Sequence, residues 1–545
     1  MRKYLLISLL AIVSFGATGQ VTFQKTISGN TSGFGKSVLQ ASDGGYVIAG
    51  NVQSVSLDSN NIYLIKTNSI GTVIWTKTFD GVGNDEANKV EKTNDGGFII
   101  SGNTNSFGAG GYDVYAIKTD SIGDTLWTKT YGGVNDEGGY IANVNSFTSY
   151  IKQTTDGGYI ISSSTKSFGH GGNDIYLIKT NTSGDTLWTR TFGSNNDDYG
   201  GAVLQTAEGG YIVTGSTWDA LSQGFNECLI KINASGNIVW SSGVGNADGN
   251  MFAATSIFQT TDGGYVAVGN ASDALTGYTF YITKSDSAGN VVWGKGYYLG
   301  TCGVSMCGAS TALSNGNFII PCIVNRIDTG LNYSSNAFLL KVDNIGNQVW
   351  AKSYGKLFEW EGTYQAEQTN DGGCIIIGYS LSGAHSDTYL IKTDSFGSSG
   401  CNEYSENSVP ATSPPNVTVT PLFSSGSGCI VHSAPAQVSA LSLTENNYCS
   451  NVGIYETKNE AFITIYPNPF SSQTTITFSE EQKHRTILIT DVLGNIIQQQ
   501  TTTNKQLTLD MSGGAKGIYF VRVMDGSASS PTEKKNVVNR KIVVE

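Results

Sequence analysis

The chain has few charged residues and few histidines, and each scarcity excludes a class of protein. Charged residues make up 14% of the 545 positions, against about 25% in an average soluble protein. The net charge is −12 and no basic stripe is present, so nucleic acid is not expected as a partner. Because 39% of the residues are apolar, the chain can build a core and does not have the composition of a disordered protein.

The motifs that carry most enzyme chemistry are missing as well. The sequence has no CxxC pair and only four scattered histidines, so no zinc site is expected. It has no GxSxG elbow. Adjacent carboxylates such as Asp197 and Asp198 point in opposite directions in an extended chain and do not define a glycosidase pair. No catalytic residue and no cofactor are therefore indicated.

Long apolar runs are absent except near the start of the chain. Leu5–Phe15 is apolar, but a membrane span needs about 20 such residues. The run follows Arg2 and Lys3 and precedes the small residues 17–19, which is the order of a secretory signal. We expect residues 1–19 to be a signal peptide that is removed on export, and no transmembrane segment elsewhere.

Glycine, by contrast, is abundant, with 68 residues, and much of it marks a turn that recurs every 52 to 61 positions. A fixed period of this size predicts an array of supersecondary units, each unable to bury its own faces. The seven copies are Asp43-Gly44-Gly45, Asp95-Gly96-Gly97, Asp156-Gly157-Gly158, Glu208-Gly209-Gly210, Asp262-Gly263-Gly264, Asn315-Gly316-Asn317 and Asp371-Gly372-Gly373.

One repeat contains four short alternating or apolar runs separated by turn residues. In the second copy they lie around Val90, at Phe98–Gly102, at Asp113–Thr119 and at Thr125–Tyr131. Asp-Gly pairs favour tight hairpin turns, and no helical period of 3.6 residues is evident within the repeats. Four antiparallel strands per unit predict the blade of a β-propeller.

A lysine ends the third strand of every repeat, and a tryptophan lies in the fourth strand of only six. The lysines are Lys66, Lys118, Lys179, Lys231, Lys284, Lys341 and Lys392. The tryptophans are Trp75, Trp127, Trp188, Trp240, Trp293 and Trp350. We expect the tryptophans to pack between neighbouring blades and the lysines to lie along the sheet with their heads in solvent.

The missing fourth strand is found at the other end of the chain. Phe23–Ile27 matches Trp75–Phe79 position by position, with phenylalanine in place of tryptophan. We therefore predict an all-β chain with a seven-bladed propeller over residues 20–400, closed by its N-terminal strand. Residues 401–461 are predicted to be a linker with a small hairpin between Val417 and Tyr448. A β-sandwich is predicted over residues 462–545.

The eight cysteines suggest disulfides in an exported protein. Cys401, Cys429 and Cys449 bracket the predicted linker, and the sequence leaves open which of them pair. In the sixth repeat, the turn at Asn315-Gly316 predicts that Cys322 lies opposite Ala309 and that Cys307 is only its diagonal neighbour. Cys228 and Cys374 are predicted to be buried in strands.

The C-terminal pattern resembles the type A sorting domain of the type IX secretion system of Bacteroidetes. The motif residues are Tyr466, Pro467, Asn468, Pro469, Gly494, Gly517 and Tyr519, within the runs 466–469, 489–494, 517–523 and 541–544. The resemblance implies transport from the periplasm across the outer membrane by the secretion machinery. It also implies removal of this domain, with release of the protein or attachment to cell-surface polysaccharide. A small sandwich that binds sugars or partners is the alternative. The repeats themselves resemble those of secreted Bacteroidetes propellers, which implies no particular activity.

Two groups of residues are candidates for a binding site. The loops that lead into each blade are acidic, and clustered carboxylates suit calcium or a cationic partner, although the pattern favours solvated turn residues that keep the surface soluble. Those carboxylates are Asp85, Glu86, Asp136, Glu137, Asp197, Asp198 and Asp248. The candidates for glycan or protein ligands are Trp218, Tyr333, Trp360 and Glu361, close to two long insertions at 138–150 and 326–336.

These observations predict a secreted or cell-surface binding scaffold for a glycan or a protein. Two alternatives remain at this point. One is an extracellular polysaccharide hydrolase or lyase on the same propeller, which carboxylates converging on the central channel would favour. The other is a structural repeat protein of the cell envelope.

Overall fold

The computed structural model describes residues 20–54, 59–138, 140–141, 146–147, 149–219, 224–245, 252–273, 277–298, 304–328, 332–356, 359–382, 385–405, 409–410, 417–419, 424–426, 430–433, 437–439, 444–452, 463–466, 471–478, 485–491, 496–512, 516–525 and 537–544. The predicted signal peptide lies outside these residues. The chain divides into two compact units, one formed by Val21–Asn451 and the other containing Val452–Glu545. Every regular element in the described parts is a strand.

Within the first unit, the described strands form seven four-stranded antiparallel blades in the predicted order. Blade 1 contains Gly33–Gln40, Tyr46–Gln53, Asn60–Thr67 and Val73–Asp80. Blade 2 contains Asp85–Lys92, Phe98–Thr104, Asp113–Thr119 and Thr125–Gly132. Blade 3 contains Tyr150–Gln153, Tyr159–Thr165, Asp174–Thr180 and Thr186–Gly193. Blade 4 contains Asp198–Gln205, Tyr211–Asp219, Gly224–Ile232 and Ile238–Gly245.

The remaining blades follow the same order, from the inner strand to the outer strand. Blade 5 contains Phe252–Gln259, Tyr265–Asp273, Gly277–Ser285 and Val291–Tyr298. Blade 6 has its inner strand in two pieces, Val304–Cys307 and Thr311–Ala312, followed by Phe318–Asp328, Asn332–Val342 and Gln348–Tyr354. Blade 7 contains Trp360–Gln368, Cys374–Ser382 and His385–Thr393, and its outer strand is Val21–Ser28.

The recurring turn explains why each blade has the same shape. In blade 2, Gly96 has a φ of 83°, a left-handed conformation that favours glycine. The Asp95 carboxylate accepts a hydrogen bond from the Gly97 amide at 3.0 Å. It also accepts one from the ammonium of Lys118, with a closest ion-pair distance of 2.9 Å. The shape that this turn repeats in successive blades therefore depends on its aspartate, its glycine and the lysine of the third strand.

The lysines of the third strands are structural, but their heads are not in solvent as the sequence suggested. Lys66, Lys118, Lys179 and Lys392 are 5%, 3%, 3% and 1% exposed. Each donates to the carbonyl of the next residue and pairs with the aspartate of the turn, as Lys392 does with Asp371 at 2.8 Å. A buried ammonium needs such partners because desolvation without them is costly. The sequence pattern could not show that the turn aspartate folds back over the lysine.

The tryptophans pack between neighbouring blades, as predicted. A Cβ atom added to Gly123, in the turn between the third and outer strands of blade 2, would lie 2.7 Å from the Trp75 ring of blade 1. The same contact recurs between Gly184 and Trp127 and between Gly289 and Trp240. Glycine is therefore required at this turn both for its positive φ and because the indole of the preceding blade occupies the space.

A seven-stranded belt surrounds the propeller, where the sequence analysis placed a linker with one hairpin. Its short strands pair antiparallel with the outer strands of successive blades in reverse order, from blade 6 through blades 5, 4, 3, 2 and 1 to blade 7. They are Glu403–Ser405, Val409–Pro410, Val417–Val419, Ser424–Gly426, Ile430–Ser433, Gln437–Ser439 and Thr444–Val452. The belt covers the outer edge of every blade, and such edges are otherwise open to pairing with other chains.

The cysteine prediction in blade 6 was wrong. Cys307 lies directly opposite Cys322, and the two form a disulfide. The register differs from the predicted one by two residues. The turn pairs Phe318 with Ala312 rather than with Leu313, and the inner strand is bulged between its two pieces, which adds the second residue. Cys228 and Cys374 are buried free thiols in strands, as predicted. Cys401, at the start of the belt, is also disulfide-bonded.

The second unit is a β-sandwich, as predicted. One sheet consists of Ile463–Tyr466, Gln473–Phe478 and Gln506–Asp510, and the other of Ile496–Thr502, Arg485–Thr490, Gly517–Asp525 and Val537–Val544. Side chains from both sheets, such as Phe478 and Val521, form one core. The sequence analysis missed the strand Ile496–Thr502, because this edge strand exposes 60% of Ile496 and 48% of Ile497 and lacks a clear alternating pattern.

Candidate functional site

The acidic loops lie on one face of the propeller, which we call the loop face. It carries the connections between blades and those between second and third strands. Four of the candidates hold the equivalent position in different blades, where the chain enters the inner strand. They are Asp85, Glu137, Asp198 and Glu361, and all four are fully buried. The structure therefore places these four candidate residues inside the protein rather than at its surface.

Each of these buried carboxylates holds the loop that precedes it. Glu137 accepts the Gly133 amide at 2.8 Å and the Thr165 hydroxyl at 2.8 Å. Asp198 accepts the Ser194 amide at 2.6 Å. Glu361 accepts the Lys356 amide at 3.1 Å. These carboxylates stabilise the loops by accepting hydrogen bonds from backbone amides. This structural role explains why acidic residues recur from blade to blade.

Two of the buried carboxylates meet a second acid from the neighbouring blade. A Cβ atom at Gly132 would lie 1.8 Å from Asp113 Oδ1 and 2.2 Å from Glu137 Oε2, so these oxygens face each other across the glycine. Asp174 and Asp198 meet in the same way at Gly193. Burial, together with the Glu137 charge, raises the pKa of Asp113 to about 7. Burial and the Asp198 charge likewise raise the pKa of Asp174 to about 7.

The other acidic candidates are partly exposed and are also engaged in the loops. Asp136 accepts the Tyr112 amide at 3.0 Å, and Asp197 accepts both the backbone and the side-chain nitrogen of Asn173, at 2.8 and 2.9 Å. Glu86 is contacted by the Asn60 amide group at 3.4 Å. Asp248 lies outside the described residues. Within the described part of the chain, no three His, Cys, Asp or Glu side chains are grouped as metal ligands.

The aromatic candidates lie on different blades. Trp218 is partly buried in blade 4, edge-on to Phe225 with ring centroids 5.1 Å apart. Trp360 is 45% exposed at the start of the inner strand of blade 7, next to the buried Glu361. Tyr333 lies in the extended hairpin of blade 6, opposite Ile327, and its side chain is outside the described residues. The extended hairpin of blade 6 pairs with the inner strand of blade 7 at Ser335 and Trp360, and the Ser335 hydroxyl donates to the Glu361 carbonyl at 2.9 Å. The backbone therefore places Tyr333 near Trp360 and Glu361, whereas Trp218 lies apart on blade 4.

The two insertions lie at different strands of their blades. The blade 6 insertion lengthens the hairpin of the second and third strands to the pair Asp328–Asn332. The blade 3 insertion interrupts the inner strand itself: Glu137 bridges to Thr165, and pairing resumes at Tyr150 opposite Ser162. The inner strands surround the propeller axis, so the blade 3 insertion starts and ends beside the central channel.

The sequence analysis missed the residues that line this channel. The inner strands of blades 1, 2, 5 and 7 each contain a bulge, and the extra residues are Lys36, Asn88, Thr255 and Tyr364. A bulge redirects a side chain, and all four residues line one cavity of about 90 Å³. The residue at the bulge position differs in each of these blades, being a lysine, an asparagine, a threonine and a tyrosine.

In the channel cavity, the ammonium of Lys36 lies beside aromatic rings. The ammonium of Lys36 lies 3.9 Å from the centre of the Tyr364 ring and 5.2 Å from that of Phe34. Burial lowers the pKa of Lys36 to about 8, although the Glu86 charge acts in the opposite direction. Tyr150, at the end of the blade 3 insertion, lines the same cavity. This arrangement offers a cation and aromatic faces to a bound group.

A network of charged side chains lies further along the inner strands, towards the recurring turns. Glu91 is 2.5 Å from Lys152 and 3.7 Å from Lys89. Burial would raise the pKa of Glu91, but these two lysines hold it below its ordinary value. Burial raises the pKa of Glu367, on the opposite inner strand of blade 7, to about 7 against the influence of Lys89. The two glutamates therefore differ in how readily they hold a proton.

The residues of the sorting motif are only partly described. Tyr466 is 80% exposed, and Tyr519 is buried in the sandwich core. Gly517 begins the strand Gly517–Asp525 with a φ of 154°. Pro467, Asn468, Pro469 and Gly494 lie outside the described residues. No helix in the described parts is long and apolar enough to cross a membrane.

Comparison with known proteins identifies the second unit. Residues 464–540 match the family described as the secretion system C-terminal sorting domain, so the chain carries such a domain. No curated protein matches the chain.

Solved structures similar to the chain are distant. They include a protein of unknown function from Dyadobacter fermentans, 11% identical with a TM-score of 0.38, covering 69% of this chain and 99% of its own. Polysaccharide lyase Uly1 is 11% identical with a TM-score of 0.39, covering 66% of this chain and 90% of its own. An α-L-arabinanase from Penicillium chrysogenum is 13% identical with a TM-score of 0.37, covering 56% and 92%. The fold assignment rests on the strand pairing described above.

Proposed function

We propose that this protein is an exported binding scaffold that recognises an extracellular glycan at its central channel. The sorting domain supports export to the cell surface or the medium. The observation that carries the proposal is the channel cavity, which is lined by a different residue from each bulged inner strand. Residues repeated in every blade serve the ring, whereas a ligand site needs differences between blades.

The chemistry of the channel supports a sugar ligand. Tyr150 and Tyr364 line the cavity together with Asn88 and Lys36, which gives aromatic surface beside polar groups. Sugars present both apolar ring faces and hydroxyl groups, so such mixed sites suit them. The acidic residues predicted to form a ligand site instead hold their own loops, and this favours the channel over the loop carboxylates.

A glycan array probed with the full-length protein tests the proposal. The array is run with and without calcium, because the partly exposed carboxylates Asp136 and Asp197 offer oxygen ligands of the kind that calcium prefers. The channel is supported as the site if the wild type binds a defined glycan class, Tyr364→Ala loses this binding and the loop-face variant Trp218→Ala keeps it. Retention in Tyr364→Ala and loss in Trp218→Ala would move the site to blade 4. No binding under either condition would favour a protein partner or a structural role.

One observation favours a second function, an extracellular polysaccharide hydrolase or lyase. Glu91 and Glu367 lie in the channel network, and their pKa values are displaced in opposite directions. Carboxyl groups with separated pKa values are typical of acid–base pairs in enzymes. In this protein, however, Glu91 is held by two lysines. Release of shortened or unsaturated sugars by the wild type, and not by Glu367→Gln, would support the enzyme.

A further inference from the structure

Lys36 differs from Lys89 and Lys152 because, among the described residues, no carboxylate lies within ion-pair distance of its ammonium, although the Glu86 charge acts on it from further away. Lys89 and Lys152 both pair with Glu91. Among the described residues, Lys36 has neither a hydrogen-bond acceptor nor a carboxylate within ion-pair distance, and its contacts are the rings of Tyr364 and Phe34. Removing an ammonium from water without an anionic partner is costly. A group that supplied the missing negative charge would therefore bind with a favourable electrostatic contribution.

The rest of the cavity indicates how large that group is and what surrounds it. The cavity volume is about 90 Å³. A carboxylate and its nearest atoms fit into this space. In the described structure the hydroxyls of Tyr150 and Tyr364, which line the same cavity, make no hydrogen bond. They can donate to a carboxylate that the Lys36 ammonium also contacts.

The charge of the channel contrasts with that of the whole chain. The protein carries a net charge of −12, yet its inner strands bring Lys36, Lys89 and Lys152 together in the channel. Within this network Lys89 and Lys152 face the carboxyl groups of Glu91 and Glu367, which offset their charges. Lys36 is therefore the channel cation without a close carboxylate among the described residues, and the low-dielectric walls focus its field.

We propose that Lys36, with the Tyr150 and Tyr364 hydroxyls, binds the carboxylate group of an acidic sugar such as a uronic acid residue. This inference rests on the proposed function, because it names the class of glycan that enters the same channel. The acidic substituent enters the cavity, and the sugar ring remains at its mouth against the tyrosine rings. The proposal involves binding only and requires no bond to be made or broken.

Calorimetric titration with purified oligosaccharides tests the assignment. The full-length protein is titrated with oligogalacturonate, with a neutral galactose oligomer of equal length and with a poly-glutamate peptide. Oligogalacturonate is expected to bind, and the neutral oligomer to bind much more weakly. Lys36→Met keeps the aliphatic stem but removes the charge, and it is expected to weaken oligogalacturonate binding by roughly 10- to 100-fold. Lys36→Arg is expected to keep most of the affinity.

The controls separate this inference from the proposed function. Lys77→Met removes a lysine that pairs with Asp124 at a different surface and is expected to leave the affinity unchanged. A thermal melt of Lys36→Met checks its fold. Unchanged oligogalacturonate affinity in a folded Lys36→Met would overturn the assignment, as would tighter binding of poly-glutamate. Binding of neutral sugars alone would overturn it while leaving the glycan scaffold intact, whereas binding of no sugar at all would overturn both.

Discussion

The ring of Phe23 lies against Gly71 as the ring of Trp75 lies against Gly123. A Cβ atom at Gly71 would be 2.8 Å from Phe23 Cζ, and one at Gly123 would be 2.7 Å from the Trp75 ring. Phe23 is also paired with Lys392, as Trp75 is with Lys66. The N-terminal strand therefore occupies the outer position of blade 7 in the same register as the outer strands of other blades, and it joins the two ends of the propeller.

The closure predicts a large effect from one substitution. Phe23 is fully buried, so Phe23→Ala is expected to reduce the free energy of unfolding by about 3–5 kcal/mol. Phe23→Trp restores the residue found in the other six blades and is expected to cost much less. Denaturant unfolding of the two variants measures the difference, with the exposed Ile74→Ala as a control. Equal stability of Phe23→Ala and the wild type would show that the N-terminal strand does not close the ring.

The acid pairs between blades predict a particular dependence of stability on pH. The pKa values of Asp113 and Asp174 are raised to about 7 in the folded protein, well above the ordinary value of about 3.9 for an aspartate. The folded state therefore holds these protons more tightly than the unfolded state does. Their stabilising contribution is complete below about pH 4 and is lost as the pH rises through 7. The free energy of unfolding is expected to fall between pH 5 and pH 8.

Asparagine at the same positions removes that dependence. Blades 1 and 6 already have Asn61 and Asn336 there, and Asn336 faces Glu361 at Gly355. The double variant Asp113→Asn, Asp174→Asn is therefore expected to fold and to show a shallower slope of stability against pH, measured by denaturant unfolding at several pH values. Asp124→Asn, at an exposed site, is the matched control. A slope as steep in the double variant as in the wild type would contradict the assignment of this pH dependence to Asp113 and Asp174.

The belt predicts a difference between two truncations. A chain ending after Val452 lacks the sandwich but keeps every belt strand, and its melting temperature is expected to match that of the propeller in the full protein. A chain ending after Asn402 also lacks the belt, so the outer edges of the blades are uncovered. It is expected to melt several degrees lower and to aggregate. Identical melting of the two truncations would mean that the belt contributes nothing to stability.

The sorting domain predicts where the truncated protein accumulates. Because residues 464–540 match a secretion-system sorting domain, removal of 462–545 is expected to leave a folded propeller in the periplasm. Cell fractionation and immunoblotting of a host that has this secretion system measure this, with the full chain as the reference. Normal appearance of the truncated protein at the surface or in the medium would contradict the role of the domain in export.

The repeat made most of the fold predictable from the sequence, because each blade copies the same turn, lysine and tryptophan. The position of Phe23 opposite Lys392 followed from that alignment. The belt could not be predicted, since its short strands, such as Val409–Pro410 and Ser424–Gly426, gain their hydrogen bonds from the blades and have no periodicity of their own. The pairing of Cys307 with Cys322 was missed because the register differs from the predicted one by two residues, one at the turn and one at the bulge.

The site was harder to predict than the fold. Acidic residues such as Glu137 and Asp198 attracted attention as potential ligands, although the structure uses them to hold loop amides. Lys36 and Tyr364 are separated by most of the propeller sequence and meet only because the ring closes. Their proximity depends on two bulges and on the contact between blades 1 and 7, none of which is visible in a single repeat.

Product analysis of a bound glycan tests the central claim most directly. The glycan that binds best on the array is incubated with the full-length protein, and its mass is measured before and after by mass spectrometry. The account predicts that the mass of the glycan is unchanged after incubation, that the wild type binds it at the channel and that Tyr364→Ala does not bind it. A shortened or unsaturated product that disappears with Glu367→Gln would contradict it, because the protein would then be an enzyme rather than a binding scaffold.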